Sequence, residues 1–298
     1  MMHRTRNGFG VFLVFCLAAA GCGKDYQAMQ FLQPSPAAGK SAYLLLGSDD
    51  ALVKQGRISE ARTFTVLDET KIHTWVLRPE GQAKGTVVML HGMGESKANY
   101  LSVGEHLVGL GYNAILPDLR RHGKSDGQYV THGIKERFDV STIVDRLLRE
   151  GAVNEPIYAA GVNLGAVVAL QYAAVDRRVE GVMAVDPYVD LKSYVEYSMR
   201  LLPQQDRQEA IAEIQKVGSF RVEDASAVNA VRQLKIPLLF AYGVVNLAVP
   251  PTQARALHQE ASEPKDIVYV EPLSLGIFWP EWMADQIDRL ITTKLKGE

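Results

Sequence analysis

Cysteine is nearly absent from this 298-residue sequence, because only Cys16 and Cys22 occur and both lie near its start. This excludes a disulfide-stapled fold and a thiolate metal site for the rest of the chain. The sequence also lacks a histidine–carboxylate cluster with metal-ligand spacing and a glycine-rich phosphate loop of the Walker type. We therefore expect no cofactor.

An excess of either charge is also missing, since 32 Lys and Arg stand against 34 Asp and Glu, giving a formal charge of −2. A nucleic-acid-binding protein needs a basic surface to displace counterions, so we expect no nucleic-acid partner. Hydrophobic residues make up 47% and charged residues 22%, which is typical of a packed globular protein.

Long hydrophobic runs are absent except at residues 9–20, which follow the positive residues Arg4 and Arg6. This run is shorter than the ~20 residues needed to span a bilayer, so it indicates the core of a signal peptide. The sequence Leu-Ala-Ala-Ala-Gly-Cys at 17–22 resembles a bacterial lipobox. That resemblance implies cleavage before Cys22 and acylation of its thiol. An ordinary signal peptide, cut after small residues, is the alternative.

Acylated Cys22 would hold the protein at a membrane surface of the bacterial cell envelope. Gly23 and Lys24 follow it instead of aspartate, which by analogy with enteric lipoproteins favours the outer membrane, facing the periplasm. Residues 23–40 contain a Pro-Ser-Pro sequence and are predicted to form a tether. The predicted organisation is a signal peptide at 1–21, a lipidated tether and lead-in at 22–58, and one domain at 59–298.

Short apolar segments alternate with amphipathic ones over the rest of the chain. Alternating apolar and polar residues predict a hairpin of two strands. Later apolar runs predict buried strands separated by helices. The pattern predicts an α/β fold with a mostly parallel sheet covered by helices on both faces. Residues 187–235 contain no clear strand, and we interpret them as a helical cap insertion over the carboxyl edge of the sheet. A helical excursion that covers nothing is the alternative. The predicted strands lie at 62–67, 71–77, 86–90, 113–116, 156–160, 181–185, 237–242 and 266–270.

Four motifs follow predicted strands in chain order. They are His-Gly-Met-Gly at 91–94, Asp-Leu-Arg-Arg-His-Gly-Lys-Ser at 118–125, Gly-Val-Asn-Leu-Gly at 161–165 and Gly-Val-Val-Asn-Leu-Ala-Val-Pro at 243–250. With these motifs, residues 60 to 295 resemble the α/β-hydrolase family of serine esterases and lipases. The resemblance implies that 161–165 forms the nucleophile elbow and that the backbone N–H groups of Met93 and Leu164 form an oxyanion hole.

The resemblance also locates the three reactive positions, and none of them holds the expected residue. The nucleophile position is Asn163, the acid position is Asn246, and the base position is Leu275 or, as the alternative, Gly276. A carboxamide has no proton that a base can remove near neutral pH, and a neutral amide cannot stabilise an imidazolium. No histidine occurs from residue 259 to the end. We therefore expect serine-hydrolase activity to be absent.

Four other residues are candidate replacements at the same edge. His132 is a candidate base, and Asp186 is a candidate orienting carboxylate. Ser96 and Ser125 carry hydroxyl groups, although loop hydrogen bonding is the simpler interpretation of both.

Three functions remain open from the sequence. The first is a membrane-tethered, non-catalytic member of the hydrolase fold whose pocket is vestigial or binds a small apolar or acyl-like ligand. The second is a carboxylic-ester hydrolase that uses displaced catalytic residues. The third is an envelope protein whose insertion binds a protein partner, which the sequence does not identify.

Overall fold

The computed structural model of the chain describes residues 24–35, 39–243, 246, 248–270 and 280–295. The predicted signal peptide, Cys22 and the predicted base position Leu275 lie outside the described residues. Among the described helices, none is both long enough and apolar enough to cross a membrane.

Eight strands of the described chain form one sheet in the order β1-β2-β4-β3-β5-β6-β7-β8. β1 and β2 form the predicted antiparallel hairpin, and β2 is antiparallel to β4. The pairs from β4 through β8 are parallel. The strands are β1 (Glu60–Thr65), β2 (Lys71–Leu77), β3 (Thr86–Leu90), β4 (Asn113–Pro117), β5 (Ile157–Val162), β6 (Val179–Val185), β7 (Leu238–Gly243) and β8 (Lys265–Val270).

The central strands are short apolar runs because helices cover both of their faces. Every residue of β3, β4 and β5 is buried, as expected of a parallel sheet between two helical layers. The predicted α/β fold is therefore confirmed. The helices in the described residues are α1 (Lys24–Leu32), α2 (Lys40–Leu46), α3 (Asp49–Lys54), α4 (Leu101–Gly109), α5 (Glu136–Arg149), α6 (Leu164–Val175), α7 (Leu191–Ser198), α8 (Gln204–Gly218), α9 (Ala227–Val231), α10 (Pro251–Glu260) and α11 (Pro280–Thr293).

Two apolar clusters lie on opposite faces of the sheet. Residues of α5, α6, α9 and α10 pack in one cluster, and residues of α4 and α11 pack in the other. The apolar stripe of α5 that the sequence predicts, which includes Val140, Ile143, Val144 and Leu147, faces the first cluster. The i, i+3, i+4 and i+7 spacing of this stripe explains why the segment is a helix with one buried face.

Helices α7, α8 and α9 occupy the interval between β6 and β7, where the sequence predicts a helical insertion. The insertion has an apolar cluster of its own, with Val195 from α7 and Ile214 from α8. Ala28, Phe31 and Leu32 of α1 are buried in the same cluster.

This packing contradicts the predicted tether at residues 23–40. Pro34 and Pro36 favour a tether, but the apolar residues Ala28, Phe31 and Leu32 have the i, i+3, i+4 spacing of one helix face, and burial of that face decides the local structure. The lead-in is also not separate from the domain, because Leu52 of α3 is buried in the core beside α4 and α11.

Candidate functional site

The turn between β5 and α6 reverses the chain sharply at the carboxyl edge of the sheet. Asn163 alone separates the end of β5 from the start of α6, and its backbone has φ 49° and ψ −110°. This conformation is strained for any residue with a Cβ, and such strain is found mostly at functional sites. The Asn163 N–H donates to the Val185 carbonyl of β6 at 2.8 Å, which fixes the apex beside the neighbouring strand.

The two glycines around Asn163 are required by close backbone packing. A Cβ at Gly161 would lie 2.3 Å from the carbonyl carbon of Gly165. A Cβ at Gly165 would lie 2.2 Å from the carbonyl oxygen of Leu90, the last residue of β3. Both contacts are with backbone atoms that cannot rotate away, so the turn has the geometry of a nucleophile elbow.

The apex of this elbow carries an amide. Asn163 is partly exposed, and its side chain makes no capping hydrogen bond to the first turn of α6. A carboxamide offers no group that can be deprotonated and attack a carbonyl carbon near neutral pH. The elbow therefore has the backbone geometry of a catalytic turn without a nucleophilic side chain.

Two backbone donors beside the elbow have no acceptor among the described residues. In the loop after β3, the Gly92 N–H donates to the Glu95 carboxylate at 2.7 Å, and the Gly94 N–H donates to a histidine ring at 3.1 Å. No hydrogen bond is present for the intervening Met93 N–H, nor for the Leu164 N–H in the first turn of α6, within the described part of the chain. These groups can donate to an oxygen atom of a ligand, as the sequence argument expects of both residues.

The predicted acid position holds a buried amide whose hydrogen bonds are satisfied. Asn246 is 6% exposed, and its Oδ1 accepts from the N–H groups of Ala248 at 2.8 Å and Val249 at 2.9 Å. Its amide lies near the carboxylate of Asp186 and favours the ionised form of that group. Since Oδ1 already accepts two bonds, the Nδ2 group is the donor that Asn246 can offer to Asp186.

Asp186 is the ionisable side chain in this part of the site. It follows β6 with a positive φ of 48°, and its Oδ1 accepts from the Gly243 N–H at 3.1 Å. Burial raises the pKa of Asp186 to about 6, although the hydrogen bond from Gly243 and the nearby amide of Asn246 favour the ionised form. The structure places this candidate carboxylate beside Asn246, with an amide as its partner where a catalytic acid would have an imidazole.

Two histidines support the loops around the elbow. His91 donates from Nδ1 to the Gly92 carbonyl at 2.8 Å and accepts at Nε2 from the Leu119 N–H at 2.9 Å. His122 donates from Nδ1 to the Arg120 carbonyl at 2.8 Å and is the acceptor for the Gly94 N–H. Burial lowers the pKa of His91 and lowers the pKa of His122 to about 3. Both rings are therefore neutral structural groups.

The candidate base His132 is fully buried and has no free nitrogen. Its Nε2 donates to the Phe31 carbonyl of α1 at 2.7 Å, so its Nδ1 accepts the hydroxyl proton of Tyr188, also at 2.7 Å. Burial lowers its pKa. His132 connects α1 to the main domain, and this arrangement argues against its predicted role as a general base.

The remaining described histidines also bond away from the elbow. His73 on β2 pairs with Asp49, and His106 on α4 pairs with Glu281. His258 on α10 packs edge-on against a phenylalanine of β7. Burial lowers the pKa of His73 to about 4.

The two candidate serines have structural hydrogen bonds. The Ser96 hydroxyl donates to the Gly39 carbonyl at 3.0 Å and belongs to a capping box with Asn99. The Ser125 hydroxyl donates to the Asp118 carbonyl at 2.8 Å and accepts from the His73 N–H at 2.8 Å. Neither residue is positioned as a displaced nucleophile. Within the described ranges, His, Asp and Glu residues form no group that could hold a metal ion.

Comparisons with known proteins agree with the fold. A family model described as serine aminopeptidase, S33 matches residues 81–215. An esterase from Pyrococcus furiosus superposes with a TM-score of 0.64 and 21% identity, over 81% of this chain and 93% of its own. The Est1E protein of Butyrivibrio proteoclasticus, solved with ferulic acid, superposes with a TM-score of 0.62 and 17% identity, over 80% and 100%. The chain therefore has the α/β-hydrolase fold.

Similarity to curated sequences is more limited in extent. An uncharacterised Bacillus subtilis protein, YqkD, is 25% identical over 199 residues, which are 62% of this chain and 63% of YqkD. A polyketide transferase of Stachybotrys chlorohalonatus is 33% identical over 132 residues, which are 43% of this chain and 44% of the transferase. The matched region thus spans less than two thirds of either relative.

The sequence alone does not predict that Asp186 and Asn246 lie side by side. Asp186 is a candidate carboxylate and Asn246 a vacated acid position, but no local spacing connects them. A signal was present in the topology, because β6 and β7 are neighbours in this fold and residues after both strands meet at one edge.

Proposed function

We propose that this chain is a non-catalytic α/β hydrolase, anchored to a membrane by acylated Cys22, with an elbow site that binds a small acyl-like ligand. The amide of Asn163 at a correctly built elbow is the observation that carries the proposal. The backbone geometry of a nucleophile elbow is retained, and the attacking group is missing.

Ligand binding is supported by the N–H groups of Met93 and Leu164, which have no acceptor among the described residues. An oxyanion hole stabilises charge that develops on a carbonyl oxygen, but the same donors also bind an uncharged carbonyl. Without a nucleophile, such a site binds an ester or an acid without turning it over. One structural neighbour is described as an esterase and another was solved with ferulic acid, so an ester or a carboxylic acid is the ligand class to test first.

The alternative of a hydrolase with displaced catalytic residues is disfavoured by the hydrogen bonds of its candidates. His132 uses both ring nitrogens, and the hydroxyls of Ser96 and Ser125 donate to backbone carbonyls. Asp186 keeps a carboxylate, but its partner in this site is the amide of Asn246. A carboxylate without an imidazole cannot complete a serine-type relay.

The first experiment is an activity panel on the mature full-length chain. We expect no turnover of short- and medium-chain p-nitrophenyl esters and no labelling by a fluorophosphonate probe. An esterase with an intact triad, assayed in parallel, controls for the reagents. Stoichiometric labelling of any residue in this chain would refute the proposal.

A second experiment restores the missing groups. We expect the variant Asn163→Ser/Asn246→Asp/Leu275→His to gain ester hydrolysis about 10³-fold above the matched control, which carries Asn163→Ala with the other two changes. A version that adds Asp186→Asn removes a second carboxylate from beside position 246. A folded restored variant with no more activity than its control would contradict the interpretation of the retained site.

A further inference from the structure

The most exposed large apolar side chains of the described chain are four leucines. Leu45 is 90% exposed, Leu44 is 86%, Leu67 is 80% and Leu201 is 76%. Single exposed leucines are ordinary, but exposed apolar side chains gathered on one side of a protein indicate a binding surface.

All four leucines belong to segments at the carboxyl edge of the sheet. Leu67 lies in the turn before β2, whose antiparallel pairing with β4 places that turn beyond the end of β4. Leu201 lies in the insertion that follows β6, between α7 and α8. Leu44 and Leu45 lie on α2, which packs against the 3₁₀ turn at 97–100 that follows β3.

The segment that begins at α1 crosses the same edge. The Leu32 carbonyl at the end of α1 accepts from the Val130 N–H at 2.9 Å, in the loop after β4. The Gly39 carbonyl before α2 accepts from the Ser96 hydroxyl, in the loop after β3. The start of the described chain is therefore held at the carboxyl edge by packing and hydrogen bonds.

Cys22 precedes this packed segment by only two residues, since α1 begins at Lys24. Two residues of extended chain span at most about 7 Å. Acyl groups on Cys22 would therefore hold the bilayer surface close to α1, because no long flexible linker separates Cys22 from the domain.

We propose that the carboxyl edge of the sheet, with Leu44, Leu45, Leu67 and Leu201, docks on the surface of the bilayer that holds the acylated Cys22. The inference rests on the acylation proposed above and is independent of the absence of catalysis. The four leucines lie on three separate segments around one edge, which suits a broad apolar interface. The elbow lies at this edge, so docking would place the partly exposed Asn163 on the side of the protein that faces the lipid.

Site-specific fluorescence on the full lipidated chain tests this orientation. After processing and acylation, neither native cysteine offers a free thiol, so each introduced cysteine is the one labelling site. Leu45→Cys, Leu67→Cys and Leu201→Cys are labelled with an environment-sensitive nitrobenzoxadiazole dye and reconstituted into phosphatidylethanolamine–phosphatidylglycerol vesicles. Gln82→Cys is the matched control, because Gln82 is exposed in the turn before β3 at the opposite edge. Circular dichroism checks that each variant is folded.

We expect blue-shifted emission at the three leucine positions and about a twofold or greater loss of emission with doxyl-labelled phospholipids, with neither change at Gln82. Equal emission and quenching at all four positions would overturn the proposal. A blue shift without doxyl quenching would indicate contact with protein instead of lipid, and would also overturn it. The mass of the mature chain shows whether Cys22 is acylated, and the ester panel is scored separately, so failure of the docking proposal is distinguished from failure of the proposed function.

Discussion

Replacing Asn246 by aspartate tests the contact with Asp186 directly, because the two side chains have nearly the same shape. The Oδ1 bonds from Ala248 and Val249 can persist in the variant. The change removes the Nδ2 donor and places a second carboxylate beside the first. We therefore expect the free energy of unfolding to decrease, and to decrease more as the pH rises.

The magnitude follows from two contributions. Loss of a hydrogen bond to a charged acceptor costs about 1.5–3 kcal/mol. Two carboxylates about 4 Å apart repel by about 4 kcal/mol at an effective dielectric constant near 20, unless one of them takes up a proton. Proton uptake by one carboxylate limits the sum of the two contributions. We therefore expect Asn246→Asp to lower the free energy of unfolding by about 3–5 kcal/mol near pH 8 and by about 1 kcal/mol near pH 5.

In the unmodified protein, Asp186 already makes the free energy of unfolding decrease as the pH rises. Its pKa in the folded protein is about 6, above the unfolded value of about 3.9. The folded state therefore binds more protons between these values, so this group lowers the free energy of unfolding as the pH rises, by about 3 kcal/mol in total and by about 2 kcal/mol between pH 4 and pH 6. In Asn246→Asp, the two carboxylates share one proton, so the decrease in the free energy of unfolding occurs at a higher pH.

Urea unfolding near pH 5 and near pH 8 measures these differences. The swap Asp186→Asn/Asn246→Asp should recover at least half of the loss, because the new amide can donate to the new carboxylate. Asn229→Asp, which adds the same charge at an exposed position of α9, should stay within about 0.5 kcal/mol of the unmodified protein. Equal stability of Asn246→Asp at both pH values, or no recovery in the swap, would refute the pairing.

Three further predictions concern stability. Gly165→Ala should cost at least about 3 kcal/mol in thermal unfolding, because its Cβ would meet the Leu90 carbonyl, whereas Gly109→Ala has open space and should be neutral or slightly stabilising. Asn163→Gly should raise stability by about 0.5–1 kcal/mol by relieving the strained φ, and an unchanged or lower melting temperature would argue against that strain. His132→Gln should reduce the loss of stability on acidification below about pH 6.5, because the buried ring has a lowered pKa and the unfolded chain takes up the proton; an unchanged pH slope would contradict this.

Much of the fold was predictable because its signals are local. Each central strand is a short apolar run, and α5 has its apolar residues on one helical face, so both elements could be read without knowing their neighbours. Gly161 and Gly165 marked the elbow for the same reason, since the sharp turn between a strand and a helix requires them within a few residues. The vacated reactive position at Asn163 was then visible directly from its residue type.

The tertiary structure decided which candidate groups are free to act, because that depends on partners distant in sequence. His132 was a plausible base until the fold placed it between the Phe31 carbonyl and Tyr188. Asp186 acquired its raised pKa and its amide partner only where the ends of β6 and β7 meet. Local pattern thus determined the framework and the missing nucleophile, whereas burial and long-range contacts determined the role of each remaining polar side chain.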